Sequence, residues 1–169
     1  MATFIKISTI TVGSGGAASI DFTSIPATYT DLVIKVAART DRASTNDYFY
    51  MKFNGSTSGY TDKSLYGNGS VAQSETGNST TAAFMFAVPG ASNTASAFGN
   101  ADIYIPNYAS ANYKSVSSDA VIENNATAAI AGLNANLWSN TAAITSIALN
   151  SIGSFVQYSS ATLYGIKSS

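Results

Sequence analysis

Histidine and cysteine are both missing from the 169 residues of the chain. Their absence removes the Ser-His-Asp and Cys-His nucleophile systems, thiolate and imidazole zinc sites, and every disulfide. Carboxylates, amines and phenols are all that remain for chemistry. Charge is scarce as well: charged residues make up 10% of the chain, with 8 basic against 9 acidic and a net charge of −1. Nucleic-acid binding depends on basic residues that displace counterions, and these few are scattered, so DNA and RNA are not expected partners. Long apolar runs are absent too. The longest, Ala82 to Val88, falls far below the roughly 18 residues that signal a membrane span, and Met1 to Val12 lacks the apolar core of a signal peptide. Synthesis in a cytoplasm with no membrane partner is the expectation.

What the chain has instead is a large apolar fraction, 46%, beside 57 Ser, Thr and Asn residues. Its surface must therefore be polar but nearly neutral, solvated through hydroxyls and amides. A length of 169 residues fits a single domain, 1–169, able to bury a core without staples.

The apolar pattern has the period of strands. Ala18, Ile20 and Phe22 alternate with Ser19, Asp21 and Thr23, and Leu32, Ile34, Val36 and Ala38 share one parity; each set reads as a half-buried strand. Residues 48–53, 83–88, 103–105 and 155–166 are rich in aromatic and β-branched residues that suit a pleated surface. Gly13 to Gly16, Asn54-Gly55, Gly67-Asn68-Gly69, Pro89-Gly90 and Asn124-Asn125 mark turns. About ten strands are expected, in an all-β, antiparallel two-sheet sandwich. Ala126 to Trp138 is Ala-rich, but Gly132, Asn134 and Asn136 weaken a helix, so it reads as strand. Residues 54–81, polar and Gly-rich with Tyr60, Leu65, Tyr66 and Val71 as anchors, read as a long excursion. Within 155–166 the inward parity switches near Ser159-Ser160, which predicts a bulge or a strand buried on both faces. Ile20, Phe22, Leu32, Ile34, Val36, Ile103, Ile105, Val116, Ile122, Leu163 and Ile166 are the expected core.

Two sets of residues are candidates for a ligand site. Arg39, Asp41, Arg42 and Asp47 form the richest charged cluster, and the carboxylates of Asp41 and Asp47 could hold a cation or sugar hydroxyls, although charges that pair weakly on the surface are the commoner reading of such a loop. Tyr108 and Tyr113 are the expected exposed aromatic pair, a possible stacking platform for carbohydrate. No catalytic pair of carboxylates is legible, and no cofactor or metal is expected. The four N-x-Ser/Thr triplets, at Asn54, Asn68, Asn78 and Asn125, are what such a composition produces by chance.

Several stretches carry a resemblance. Residues 4–7 and 12–26, then Thr28-Tyr29-Thr30-Asp31-Leu32-Val33-Ile34, 98–108, 137–147, 155–158 and 161–166 resemble a family of small virion proteins of tailed bacteriophages, prominent in phages of cyanobacteria and other aquatic bacteria. The resemblance implies a jelly-roll-like sandwich on the particle surface and carries no catalytic residues onto this sequence. Two function classes follow. One is a capsid decoration, or cement, protein that binds the major capsid protein or other virion proteins; the other is a carbohydrate- or receptor-binding module of a fibre or tail. The lack of heptads or a fibre shaft favours decoration, with a closed homo-oligomer, a trimer by analogy, as the expected assembly.

Overall fold

The computed structural model describes residues 3–77, 79–125 and 129–167. Among them are twelve strands and no helix: β1 (Thr3–Thr11), β2 (Ala17–Phe22), β3 (Asp31–Ala38), β4 (Asn46–Phe53), β5 (Tyr60–Gly67), β6 (Ala72–Thr76), β7 (Ala83–Pro89), β8 (Gly99–Ile105), β9 (Lys114–Ile122), β10 (Ile130–Trp138), β11 (Ile147–Phe155) and β12 (Ser160–Lys167). They form two antiparallel sheets, one of eight strands in the order β1-β12-β3-β8-β9-β10-β5-β6 and one of four in the order β2-β11-β4-β7.

That order contains a complete jelly roll. With β5, β6, β9 and β10 set aside, the remaining eight strands divide between the sheets as two Greek keys do, β1-β12-β3-β8 and β2-β11-β4-β7, the first pairing the last and the second pairing the next-to-last. The four others are two hairpin insertions. The β5–β6 excursion leaves from the end of β4 and the β9–β10 hairpin from the end of β8, and they join through β10–β5 pairing to widen one sheet only. The polar excursion expected at 54–81 is therefore a paired part of the large sheet.

The core lies between the sheets. β9 alternates without a break, buried at Lys114, Val116, Ser118, Ala120 and Ile122 and exposed between them. Of the expected core, all but Ile166 are buried. β7 differs, being buried at every position. It is the last strand of the small sheet, yet the added strands β9, β10 and β5 curve over it, so the continuous apolar run of Ala82 to Val88 meets protein on both faces. Its outer backbone edge is also covered. Asn136 of β10 accepts a hydrogen bond from the Phe84 amide at 2.8 Å and donates one to the Phe84 carbonyl at 3.0 Å, doing for an edge strand what a neighbouring strand would do.

Two expectations need correction. The 155–166 stretch is no single strand: β11 ends at Phe155 in the small sheet and β12 begins at Ser160 in the large one. The chain turns between them with Tyr158 at φ 74°, and this crossing is the cause of the parity switch. Asn54-Gly55 does adopt the positive φ pair of 51° and 69°, but it joins strands of different sheets rather than a hairpin. The Asn54 side chain anchors this corner, donating to the Ala143 carbonyl at 2.8 Å and accepting from the amides of Thr145 and Ser146.

Phenols in and around this core, with Tyr104 on the outer face of the large sheet, set its response to alkali. Burial raises Tyr60 and Tyr108 above the usual 10.0, and burial is the leading cause for Tyr50 and Tyr104 as well. A raised folded-state value means that the stability these groups contribute is complete below 10.0 and lost as pH climbs through the folded-state values. Lys114 acts in the opposite sense, its amine lowered by burial, but it is one group against five, since the Tyr66 phenol is raised as well, chiefly by its hydrogen bond to Glu75. Urea midpoints are expected to fall between about pH 9 and about pH 11, and an unchanged midpoint would show that the phenols ionise without unfolding.

Candidate functional site

The charged cluster between β3 and β4 is half inside the structure: Arg39 and Asp47 are buried, Asp41 is exposed and Arg42 lies between. Arg39 is buried, and its guanidinium donates to four main-chain carbonyls, those of Thr94 at 2.7 Å, Ala97 and Asn93 at 3.0 Å and Ala91 at 3.2 Å. Asp41 and Asp47 accept from consecutive amides of β11, Ser154 and Gly153, each at 2.8 Å. Asp47 is buried and also receives Arg42 at 3.3 Å. Gly153 leaves no room for a side chain, since a Cβ there would lie 2.7 Å from the Asp41 carboxylate. Both carboxylates thus pin the β3–β4 loop to β11. Among the described residues no group of three or more Asp and Glu is placed to share a metal ion.

The tyrosine pair separates. Tyr113 is exposed, but Tyr108 is fully buried, with its hydroxyl bonded to the Pro26 carbonyl and accepting from the Tyr29 amide. The expectation of an exposed pair therefore fails at Tyr108. It closes the bottom of the sandwich, where the Ile144 amide also bonds its main-chain oxygen at 3.0 Å.

Two surfaces remain with features that packing does not account for. The first is the outer face of the large sheet. Register places Leu65, Leu133, Asp119, Asp102, Lys35 and Thr162 in one straight row across six strands. Leu65 and Leu133 are more than half exposed, as is Phe4 near the far edge, and Val121 and Tyr104 also show on this face. Lys35 and Asp102 form an exposed ion pair in its middle. Eight strands about 4.8 Å apart and about 26 Å long make a face of roughly 900 Å².

The second surface is a cleft of about 330 Å³ where the β5–β6 hairpin meets the β4 and β7 end of the small sheet. Its rings form a chain: Tyr48 to Phe84 at 6.0 Å, Phe84 to Phe86 at 5.8 Å, and Phe86 to Tyr66 at 4.7 Å between centroids. Arg42 stands over Tyr48 at 5.6 Å. Glu75 accepts from the Tyr66 hydroxyl at 2.8 Å, and this bond is the leading cause of a raised Tyr66 value. Ser44, Thr45 and Asn46 line the rim. The Asn46 side-chain oxygen is buried there without a hydrogen-bond partner.

A break in the ladder makes this cleft. Tyr48 pairs with Ala87 while Tyr50 pairs with Phe84, so Met85 and Phe86 together oppose Phe49 in a β-bulge. Phe86 takes φ 78°, a conformation that costs a bulky residue about 1–3 kcal/mol. Its ring packs on Gly132, where a Cβ would come within 3.2 Å of it. Sequence reading saw aromatic strands at 48–53 and 83–88 but passed over these residues. Which ring faces the core depends on the bulge, which has no sequence signal, and Asn46 looks like any strand-edge amide.

No protein-family model, no curated protein and no solved structure matches this chain.

Proposed function

We propose that the chain is a structural protein of a tailed-bacteriophage virion, a decoration subunit that lies on the outside of the shell and docks through the outer face of its eight-stranded sheet. The carrying observation is that face itself. It is broad and nearly neutral, and it exposes Leu65, Leu133 and Val121 side by side, with Tyr104 and Phe4 beyond the Lys35–Asp102 pair, and exposed apolar clusters of this kind mark interaction surfaces. Its roughly 900 Å² matches the approximately 800 Å² per partner of a standard interface. The resemblance of residues 4–7, 12–26, 28–34, 98–108, 137–147, 155–158 and 161–166 to small virion proteins suggests the partner, the major capsid protein or another virion protein. Such a role requires no catalysis, and a chain without histidine or cysteine suits it.

A bound subunit stabilises the assembled state by mass action. Particles made without the protein are expected to assemble, to adsorb to host cells as complete particles do, and to release their genome at a lower temperature. Adding the purified protein back should restore heat resistance, and the Leu133→Lys variant, which places a charge at the centre of the face, should not. Equal heat resistance with and without the protein, or full rescue by Leu133→Lys, would overturn the assignment.

A further inference from the structure

We propose that the cleft between the β5–β6 hairpin and the β4–β7 edge binds a neutral saccharide. The site lies apart from the outer face of the large sheet and stands on different residues, so it does not depend on the virion assignment.

The argument begins with what the cleft offers. Tyr48 and Tyr66 form opposite ends of the ring chain, with Phe84 and Phe86 nearly buried between them. A pyranose has an apolar face of C–H groups that suits an aromatic surface, and a rim of hydroxyls that must be hydrogen-bonded. The rim of the cleft provides for this. Asn46 contributes an amide to the same rim. Ser44 and Thr45 stand on the same wall as Arg42, and Glu75 stands on the wall with Tyr66. The volume of about 330 Å³ falls near the lower end of small-molecule sites, roughly 300–1,000 Å³, which suits a mono- or disaccharide.

Charge selects against other ligands. Arg42 is already neutralised by Asp47, and Glu75 faces the opening, so a phosphate or carboxylate would meet a carboxylate without a free cation to offset it. A purely apolar ligand would desolvate the hydroxyls and amide of the rim without pairing them. Phe86 adds an independent sign: a bulky side chain held at φ 78° is strain of the kind that gathers at ligand clamps, and here it turns the ring into the cleft floor.

The test is a nitrogen-15 NMR titration of the isolated protein with maltose, cellobiose, lactose and N,N′-diacetylchitobiose, each to about 20 mM, enough to detect millimolar binding. At least one sugar is expected to shift amides confined to residues 42–48, 66, 75 and 84–87. Tyr48→Ala should weaken that binding at least about tenfold, and Asn46→Ala, a smaller change at the rim, should weaken it as well. Leu133→Lys, on the other face, should bind as the parent does. Absence of shifts with all four sugars, shifts that map outside the cleft, or binding by Tyr48→Ala equal to the parent would overturn the proposal. Because heat resistance of particles is read from Leu133→Lys and sugar binding from Tyr48→Ala, either assignment can fail alone.

Discussion

Replacing Arg39 by Ala is expected to lower the unfolding free energy by about 3–5 kcal/mol, since a hydrogen bond to a charged group contributes about 1.5–3 kcal/mol and water replaces only some of the four that are lost. The guanidinium gathers the carbonyls of Ala91, Asn93, Thr94 and Ala97 and so folds the 90–98 segment over the end of the sandwich. Without it, four acceptors that are directed inward lose their donor. Such a loss is a large part of a total stability of about 5–15 kcal/mol. Arg39→Lys should recover only part of it, since an ammonium has three donors and no planar fork to span two pairs of carbonyls. Urea unfolding of the three proteins measures the series. A cost below about 1 kcal/mol for Arg39→Ala would mean that the segment turns its carbonyls to solvent when the guanidinium is gone.

Asn136→Leu should cost about 2–6 kcal/mol, from two main-chain groups of Phe84 stranded at about 1–3 kcal/mol each. Leucine fills much the same space, so the loss reports the hydrogen bonds more than a cavity. Asn136→Asp separates the two: a carboxylate still accepts from the Phe84 amide, but it cannot donate to the Phe84 carbonyl. Denaturant midpoints give the energies, and hydrogen exchange at the Phe84 amide gives the location. Fast exchange at that amide is expected in Asn136→Leu. Midpoints of both variants equal to the parent would mean that β7 finds another partner for its edge.

Asn136 also shows where the sequence was legible and where it was not. Period-2 alternation exposed β2 and β3 with their inward faces, because each has one face in the core and the other largely in solvent, whereas β9 was legible only through its core residues Val116 and Ile122. Asn134 and Asn136 were informative only as poor helix residues. Their actual roles, a Ser64–Asn134–Ser118 chain of buried hydrogen bonds and the bracket on Phe84, depend on β5, β7 and β9 arriving from far along the chain. Tyr108 failed for a similar reason. Polar neighbours such as Asn107, Ser110 and Asn112 made it look exposed, whereas its ring is enclosed by elements more than 30 residues away, at Pro26, Tyr29 and Ile144. The cleft was the least legible part, since its floor is made by a bulge and its far wall by a hairpin of the opposite sheet.

The enclosure of β7 constrains how the chain can be born. Its cover comes from β5, which precedes it, and from β9 and β10, which follow it. A nascent chain that has emerged only as far as Pro89 therefore presents Ala83-Phe84-Met85-Phe86-Ala87-Val88 without the strands that will shield it, and β4 can cover one edge but neither face. At about 5–20 residues per second, the roughly fifty residues from there to Trp138 take several seconds to appear. During that interval the segment has the apolar, uncharged character that favours intermolecular strand pairing. The strand that the finished protein hides most completely is thus left open for seconds during its synthesis, so yield in a fast-translating host should depend on chaperone supply more than on the stability of the folded product.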